Sequence, residues 1–73
     1  MPGSVYKVIE LVGTSTESWE DAARSALTIA AASLEDLRIA EVVTQDIRLE
    51  GNEIVEFRVK MKVSFKYHPE LAD

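Results

Sequence analysis

Hydrophobic and polar residues alternate most regularly over residues 54–67, near the C-terminal end of the chain. A period of two is typical of a β-strand that buries one face. The apolar positions are Val55, Phe57, Val59, Met61, Val63, Phe65 and Tyr67. The opposite face carries a basic ladder, formed by Arg58, Lys60, Lys62 and Lys66. We expect the ladder to pair with carboxylates of a neighbouring strand or subunit, such as Glu10, Glu41 or Glu56, in preference to binding an anionic ligand.

Two further strands are predicted at residues 5–12 and 38–49, because both segments are rich in β-branched residues. We expect Gly13 to end the first of these strands and Thr14-Ser15 to form a turn. Gly51-Asn52 separates the second and third strands and favours a tight hairpin turn. The C-terminal half of the chain is therefore predicted to be a long β-hairpin.

One helix is predicted over residues 19–34. Ser18 is a favourable N-cap, and Asp21 follows it at capping-box spacing. The apolar stripe comprises Trp19, Ala22, Ala23, Ala26, Leu27, Ala30, Ala31 and Leu34, with Ile29 off the stripe. The element order β-α-β-β predicts an α+β fold, in one domain over residues 1–73 with an ordered core at about 5–67 and a tail at 68–73.

Composition narrows the functional classes. The 73 residues hold 13 acidic and eight basic side chains, a net charge of −5, and no cysteine. An acidic chain is a poor general ligand for nucleic acid or an anionic membrane, so we expect neither partner, and the lack of cysteine is compatible with a cytoplasmic location. One helix can cover only one face of the sheet, and strands this long leave edges exposed. Self-assembly is the expected source of further burial.

Catalytic chemistry has little support in the sequence. The only histidine, His68, lies in the predicted tail, where a general base would be badly preorganised, so we expect no enzyme. The sole tryptophan, Trp19, begins the helical stripe, which favours packing over ligand stacking. Oxygen ligands for a hard cation are available in Glu17, Glu41, Asp46 and Glu50, although without EF-hand spacing.

Several segments together resemble the dodecin family. They are VGTS after the first strand, SWEDAA at the helix start, AEVV in the second strand and KVSFK in the third. The resemblance extends from residue 5 to residue 67. It implies a β-α-β-β fold in which a three-stranded antiparallel sheet partly wraps around one helix. It also implies a hollow homododecamer of 23 symmetry that binds or stores a small ligand without turning it over.

Typical dodecins hold riboflavin or FMN in stacked pairs between subunits, and the resemblance assigns Ile39, Gln45 and Arg58 to positions of that ligand pocket. Family members with flavin carry a tryptophan at the position of Ile39 and a glutamine at the position of Arg58. Isoleucine has no π-face for stacking, and arginine only donates hydrogen bonds. Flavin is therefore not the expected ligand, and a flavin dodecin that sequesters riboflavin or FMN is the alternative.

The SW pair at the helix start and the segment RIAEVVTQD resemble the flavin-less calcium dodecin branch of the family. That resemblance implies a cation site, with Glu17, Glu41, Thr44 and Asp46 as candidate ligands for Ca²⁺ or Mg²⁺. A purely structural cage without a ligand is a further alternative.

Overall fold

A computed structural model describes residues 3–67. The elements are β1 (Tyr6–Ser15), α1 (Trp19–Ala31), β2 (Leu37–Glu50) and β3 (Glu53–Lys66). The strands form one antiparallel sheet in the order β1-β3-β2, so the strictly alternating strand lies in the centre. The predicted β-α-β-β order and antiparallel sheet are confirmed, whereas the predicted tail at 68–73, with His68, lies outside the described residues.

The first strand is longer than predicted, because Gly13 does not end it. Gly13 lies inside β1 opposite Val59, and the strand continues to Ser15. A Cβ atom at Gly13 would stand 2.3 Å from the Ala22 carbonyl oxygen and 2.9 Å from the Ala26 Cβ. The absent side chain therefore lets the helix approach the strand closely, so this glycine is a packing residue and not a strand breaker.

The helix begins at the predicted residue but ends three residues early. The Ser18 hydroxyl accepts a hydrogen bond from the Asp21 amide at 3.0 Å, which confirms the N-cap. At the other end, the Ala32 and Ser33 amides bond to carbonyls three residues back, at 3.2 and 3.1 Å. This tight final turn, followed by Asp36 with φ 59°, directs the chain into β2.

The hairpin between β2 and β3 has the predicted turn. Gly51 and Asn52 both have positive φ, 55° and 67°, as a two-residue turn of type I′ requires. Both strands contain 14 residues and begin one residue earlier than predicted. The hairpin is thus much longer than the 13-residue helix, which extends only about 20 Å.

The core lies between the helix and the centre of the sheet. Its buried side chains are Ala22, Val59, Met61 and Val63, with Ile9, Leu11 and Leu27 packed around them. These residues belong to the predicted helical stripe, β1 and the apolar face of β3. Ile29, predicted to lie off the stripe, is 74% exposed.

Cover over the sheet is uneven. The helix packs against β1 and β3, whereas β2 is exposed along nearly its whole length. The described chain measures 55 × 20 × 16 Å and has a radius of gyration of 15.2 Å. A compact chain of this length would have a radius of gyration of about 11 Å. The protomer is therefore an elongated unit with one long bare edge strand.

Candidate functional site: the open face of the sheet

The sheet surface that points away from the helix, here called the open face, contains most of the candidate site residues. Directly paired strand residues share a face, so the register groups their side chains into rows across the sheet. The rows from one end to the other are Thr14–Arg58–Asp46, Val12–Lys60–Thr44, Glu10–Lys62–Glu41 and Val8–Ser64–Ile39. The basic ladder thus runs along the central strand β3, and the flanking positions on β1 and β2 are a mixture of apolar, hydroxyl and acidic side chains.

Arg58 is held by a cross-strand ion pair. Its Nε donates to Asp46 Oδ1 at 2.8 Å, and the backbone carbonyl of Asp46 accepts a hydrogen bond from Trp19 Nε1 at 3.2 Å. The Trp19 ring meets Phe57 edge to face at 5.3 Å. Asp46 therefore connects the helix start to the open face through two different groups, its main chain and its carboxylate.

Trp19, for which the sequence favours a packing role, is half-buried in the protomer. Its contacts are with Phe57 and Asp46, and it packs against the hydrophobic core. These contacts favour the packing role over a ligand clamp.

Ile39 lies at the other end of the open face. Its side chain is 67% exposed, and its carbonyl accepts a hydrogen bond from Ser64 Oγ at 3.4 Å. Around it, a shallow groove of about 500 Å³ is lined by Val8, Glu10, Ile39, Glu41, Lys62 and Ser64. No aromatic ring lines this groove within residues 3–67, so the protomer offers a planar ligand no surface for stacking there.

The three positions assigned to the family's ligand pocket do not meet within one protomer. Ile39 pairs with Ser64 on β3, which is six residues from Arg58 on the same strand, or about 20 Å. Gln45 pairs with Val59, on the side of the sheet that faces the helix. A ligand site that used all three positions would need more than one copy of the chain.

The candidate cation ligands are also dispersed. Glu41, Thr44 and Asp46 lie in three different rows of the open face, and Asp46 already accepts from Arg58. Glu17 lies before the helix, where its amide bonds to Ser15 Oγ at 2.9 Å. Within the described part of the chain, no three His, Asp or Glu side chains form a group that could hold a metal ion. A calcium site built on three such side chains of one protomer is therefore absent from residues 3–67.

The basic ladder pairs with carboxylates, as expected, but only one expected partner is used. Lys60 Nζ lies 3.7 Å from Glu10 Oε1, whereas Arg58 pairs with Asp46, which the sequence suggests only as a cation ligand. Glu56 instead bonds to Arg48, at 3.0 Å. The hydrogen bonds from Arg48 to Glu56 and Glu50 raise the pKa of its guanidinium. Only the strand register could have revealed these pairs.

A single helix laid across one face of a β1-β3-β2 antiparallel sheet defines a small α+β fold with one open sheet face. The chain belongs to the dodecin family, whose model, described as "Dodecin", matches residues 5–68. Dodecins are non-enzymatic binding proteins that self-assemble. No helix in residues 3–67 has the length and apolar character needed to cross a membrane.

Among known proteins, the chain is similar to the calcium dodecin of Mycobacterium tuberculosis. The two are 46% identical over 66 residues, which cover 90% of this chain and 93% of that protein. The crystal structure of that protein, described as a calcium-chelating antigen with a novel calcium-binding site, matches with a TM-score of 0.81, 45% identity and coverage of 90% and 94%.

Two Streptomyces dodecins are also similar in structure. The dodecin of Streptomyces davaonensis matches with a TM-score of 0.85 and 33% identity, over 92% of this chain and 98% of that one. The dodecin of Streptomyces coelicolor matches with a TM-score of 0.86 and 31% identity, over 93% and 97%. The fold is therefore shared by calcium dodecin and by dodecins that are named without calcium.

Proposed function

We propose that this chain forms a hollow homododecamer that binds or stores a small ligand or a cation of the calcium type, without catalysis. The observation that carries the proposal is the 46% identity to a calcium dodecin over nearly the full length of both chains. The aliphatic, exposed side chain of Ile39 supports it, because a flavin clamp needs an aromatic ring at that position.

The exposed surface of the protomer supports assembly. Ile39, Val42 and Leu49 on β2 are each at least half exposed, and the edge of that strand lacks a neighbour within the described chain. A long, exposed, apolar edge strand pairs or aggregates unless it is covered. Light scattering at low protein concentration tests the proposal, with a particle of twelve chains expected. A stable monomer or dimer would contradict it.

For the cation, oxygen ligands from more than one copy are required. Calcium takes six to eight oxygen atoms, and each protomer offers the dispersed set Glu17, Glu41, Thr44 and Asp46. Glu17 and Glu41 are exposed carboxylates, so they are available to an ion at a junction between subunits. Mg²⁺ is the competing ion, and its demand for octahedral geometry makes it the less suitable one for a site assembled from several chains.

Calorimetric titration of chelator-treated protein with CaCl₂ tests this cation site. We expect saturable binding by the wild type, at least tenfold weaker binding by Glu41→Gln or Asp46→Asn, and unchanged binding by Glu20→Gln, an exposed carboxylate outside the candidate set. Absence of calcium binding by assembled wild-type protein would refute the cation site, and equal titrations by all variants would reject these ligands.

Flavin is the competing ligand and has its own test. The wild type is expected to quench the fluorescence of riboflavin or FMN only slightly. Ile39→Trp should strengthen quenching by providing a ring for stacking, and Arg58→Gln should add to it by providing an acceptor as well as a donor. Tight flavin binding by the unaltered chain would replace calcium with flavin as the proposed ligand.

A further inference from the structure

The end of the β2–β3 hairpin extends beyond the rest of the protomer. Residues 48–56, here called the hairpin arm, form a two-stranded ribbon, because the last residue of β1 pairs with Phe57. Trp19, at the start of the helix, packs against that same Phe57 ring. Beyond this level, no third strand of residues 3–67 accompanies the arm.

The hairpin arm is apolar as well as acidic. Leu49 and Ile54 are each 58% exposed. Because an isolated two-stranded hairpin is only marginally stable in water, burial of these side chains would stabilise the arm. Three glutamates and one arginine, Arg48, give the arm a net charge of −2. The arm therefore presents apolar side chains and negative charge together, which suits a docking surface that is apolar and basic.

Such a surface lies between the helix and the bare strand β2. A groove of about 550 Å³ there has a largely apolar lining that includes Leu27, Ala31, Leu37 and Ala40. Arg24 and Arg38 also line it. Their nearest carboxylates, on Asp21 and Asp36, are 3.8 and 4.0 Å away, and exposed pairs at such distances contribute little. Both guanidinium groups can accept another carboxylate as partner.

We propose that the hairpin arm of one copy docks into the α1–β2 groove of a second copy of this chain. The negative arm matches the positive groove, and each covers apolar side chains of the other. The arm cannot reach its own groove, because Leu37 in that groove pairs with Phe65, which is eight residues along β3 from Phe57 and about 26 Å from it.

Since the arm and the groove are different surfaces, the contact is head-to-tail, and repetition of such a contact closes a ring when the rotation permits. The inference rests on the proposed self-assembly and names the surfaces that produce it. A ring built in this way covers the hairpin arm and the α1–β2 groove of every copy.

A charge exchange tests the contact. Glu53→Lys on the arm and Arg38→Glu in the groove are each expected to weaken assembly at least tenfold in sedimentation velocity, and the double variant should recover most of the wild-type association. Glu20→Lys, on the exposed side of the helix start, serves as the control and should assemble normally. Normal assembly of both single variants, or a double variant weaker than either, would overturn the proposal.

Cross-linking gives a second measurement, because the chain has no cysteine of its own. Glu53→Cys combined with Thr28→Cys, a groove residue, should give covalent oligomers on oxidation, whereas each single variant should stay uncrosslinked. Strong cross-linking of Glu53→Cys alone would indicate a symmetric contact between arms and overturn the head-to-tail arrangement. A monomeric wild type would refute both the proposed assembly and this inference. An assembled wild type whose arm variants assemble normally and form no cross-links to the groove would refute this inference alone.

Discussion

The sheet has two unlike parts. Under the helix, β3 contributes Met61 and Val63, each 1% exposed, to a closed core, and Ile9 and Leu11 of β1 pack against it. Beside them, β2 carries comparable side chains, among them Val42 at 50% and Leu49 at 58% exposure. Both parts carry hydrophobic side chains, but the helix covers only β1 and β3. Burial in this protomer therefore depends on where the single helix lies.

The largest expected effect separates these two parts directly. Met61 on β3 and Val42 on β2 are cross-strand partners; Met61 is buried and Val42 is half exposed. Met61→Ala should destabilise the fold by about 3 kcal/mol, because it leaves a cavity in the core. Val42→Ala should cost under about 1 kcal/mol in a dissociated chain. Urea unfolding measures both, and a cost for Val42→Ala that grows with protein concentration would show that assembly covers β2.

Trp19→Ala should have the next largest effect. A buried tryptophan truncated to alanine typically costs roughly 3–5 kcal/mol, and the half-buried Trp19 should cost about 2–3 kcal/mol in unfolding free energy. Trp19→Phe keeps an aromatic ring near Phe57 and should be much milder. Thermal melts measure both. Normal melting and assembly with loss of ligand binding would instead identify Trp19 as a binding residue.

Gly13→Ala tests the close approach between β1 and the helix. The added Cβ would meet the Ala22 carbonyl at 2.3 Å, so helix and strand must separate, at a cost of about 2 kcal/mol. Gly3→Ala is the matched control, since no atom lies within 4 Å of its added Cβ. Chemical denaturation compares the two. Equal stability of both variants would show that the helix is not packed closely on Gly13.

The smallest expected effect concerns the open face. The side chains of Arg58 and Asp46 are 43% and 53% exposed, so Asp46→Ala should cost under about 1 kcal/mol, and less at high salt. The hydrogen bond from Trp19 Nε1 uses the Asp46 main chain and should persist, which leaves the emission of the only tryptophan unchanged. A shift of that emission would show that the carboxylate positions the ring.

The sequence predicted an element correctly where a few neighbouring residues determine it. Alternation identified β3, Ser18 identified the helix start, and Gly51-Asn52 identified the turn. The predictions were wrong where distant residues decide the outcome. Gly13 reads as a strand end until Ala22 is known to lie against it.

The candidate site was less accessible from the sequence. The sequence alone identified Ile39 and Arg58 as positions of the pocket. Their separation along the sheet, and the ion pair between Arg58 and Asp46, depend on the strand register. The sequence by itself determined which segments become helix and strand, because propensity, capping and periodicity act over a few neighbouring residues. Only the tertiary structure decided that β3 is central, that the helix leaves β2 bare and that the ligand positions lie apart, because these depend on which distant surfaces pack together.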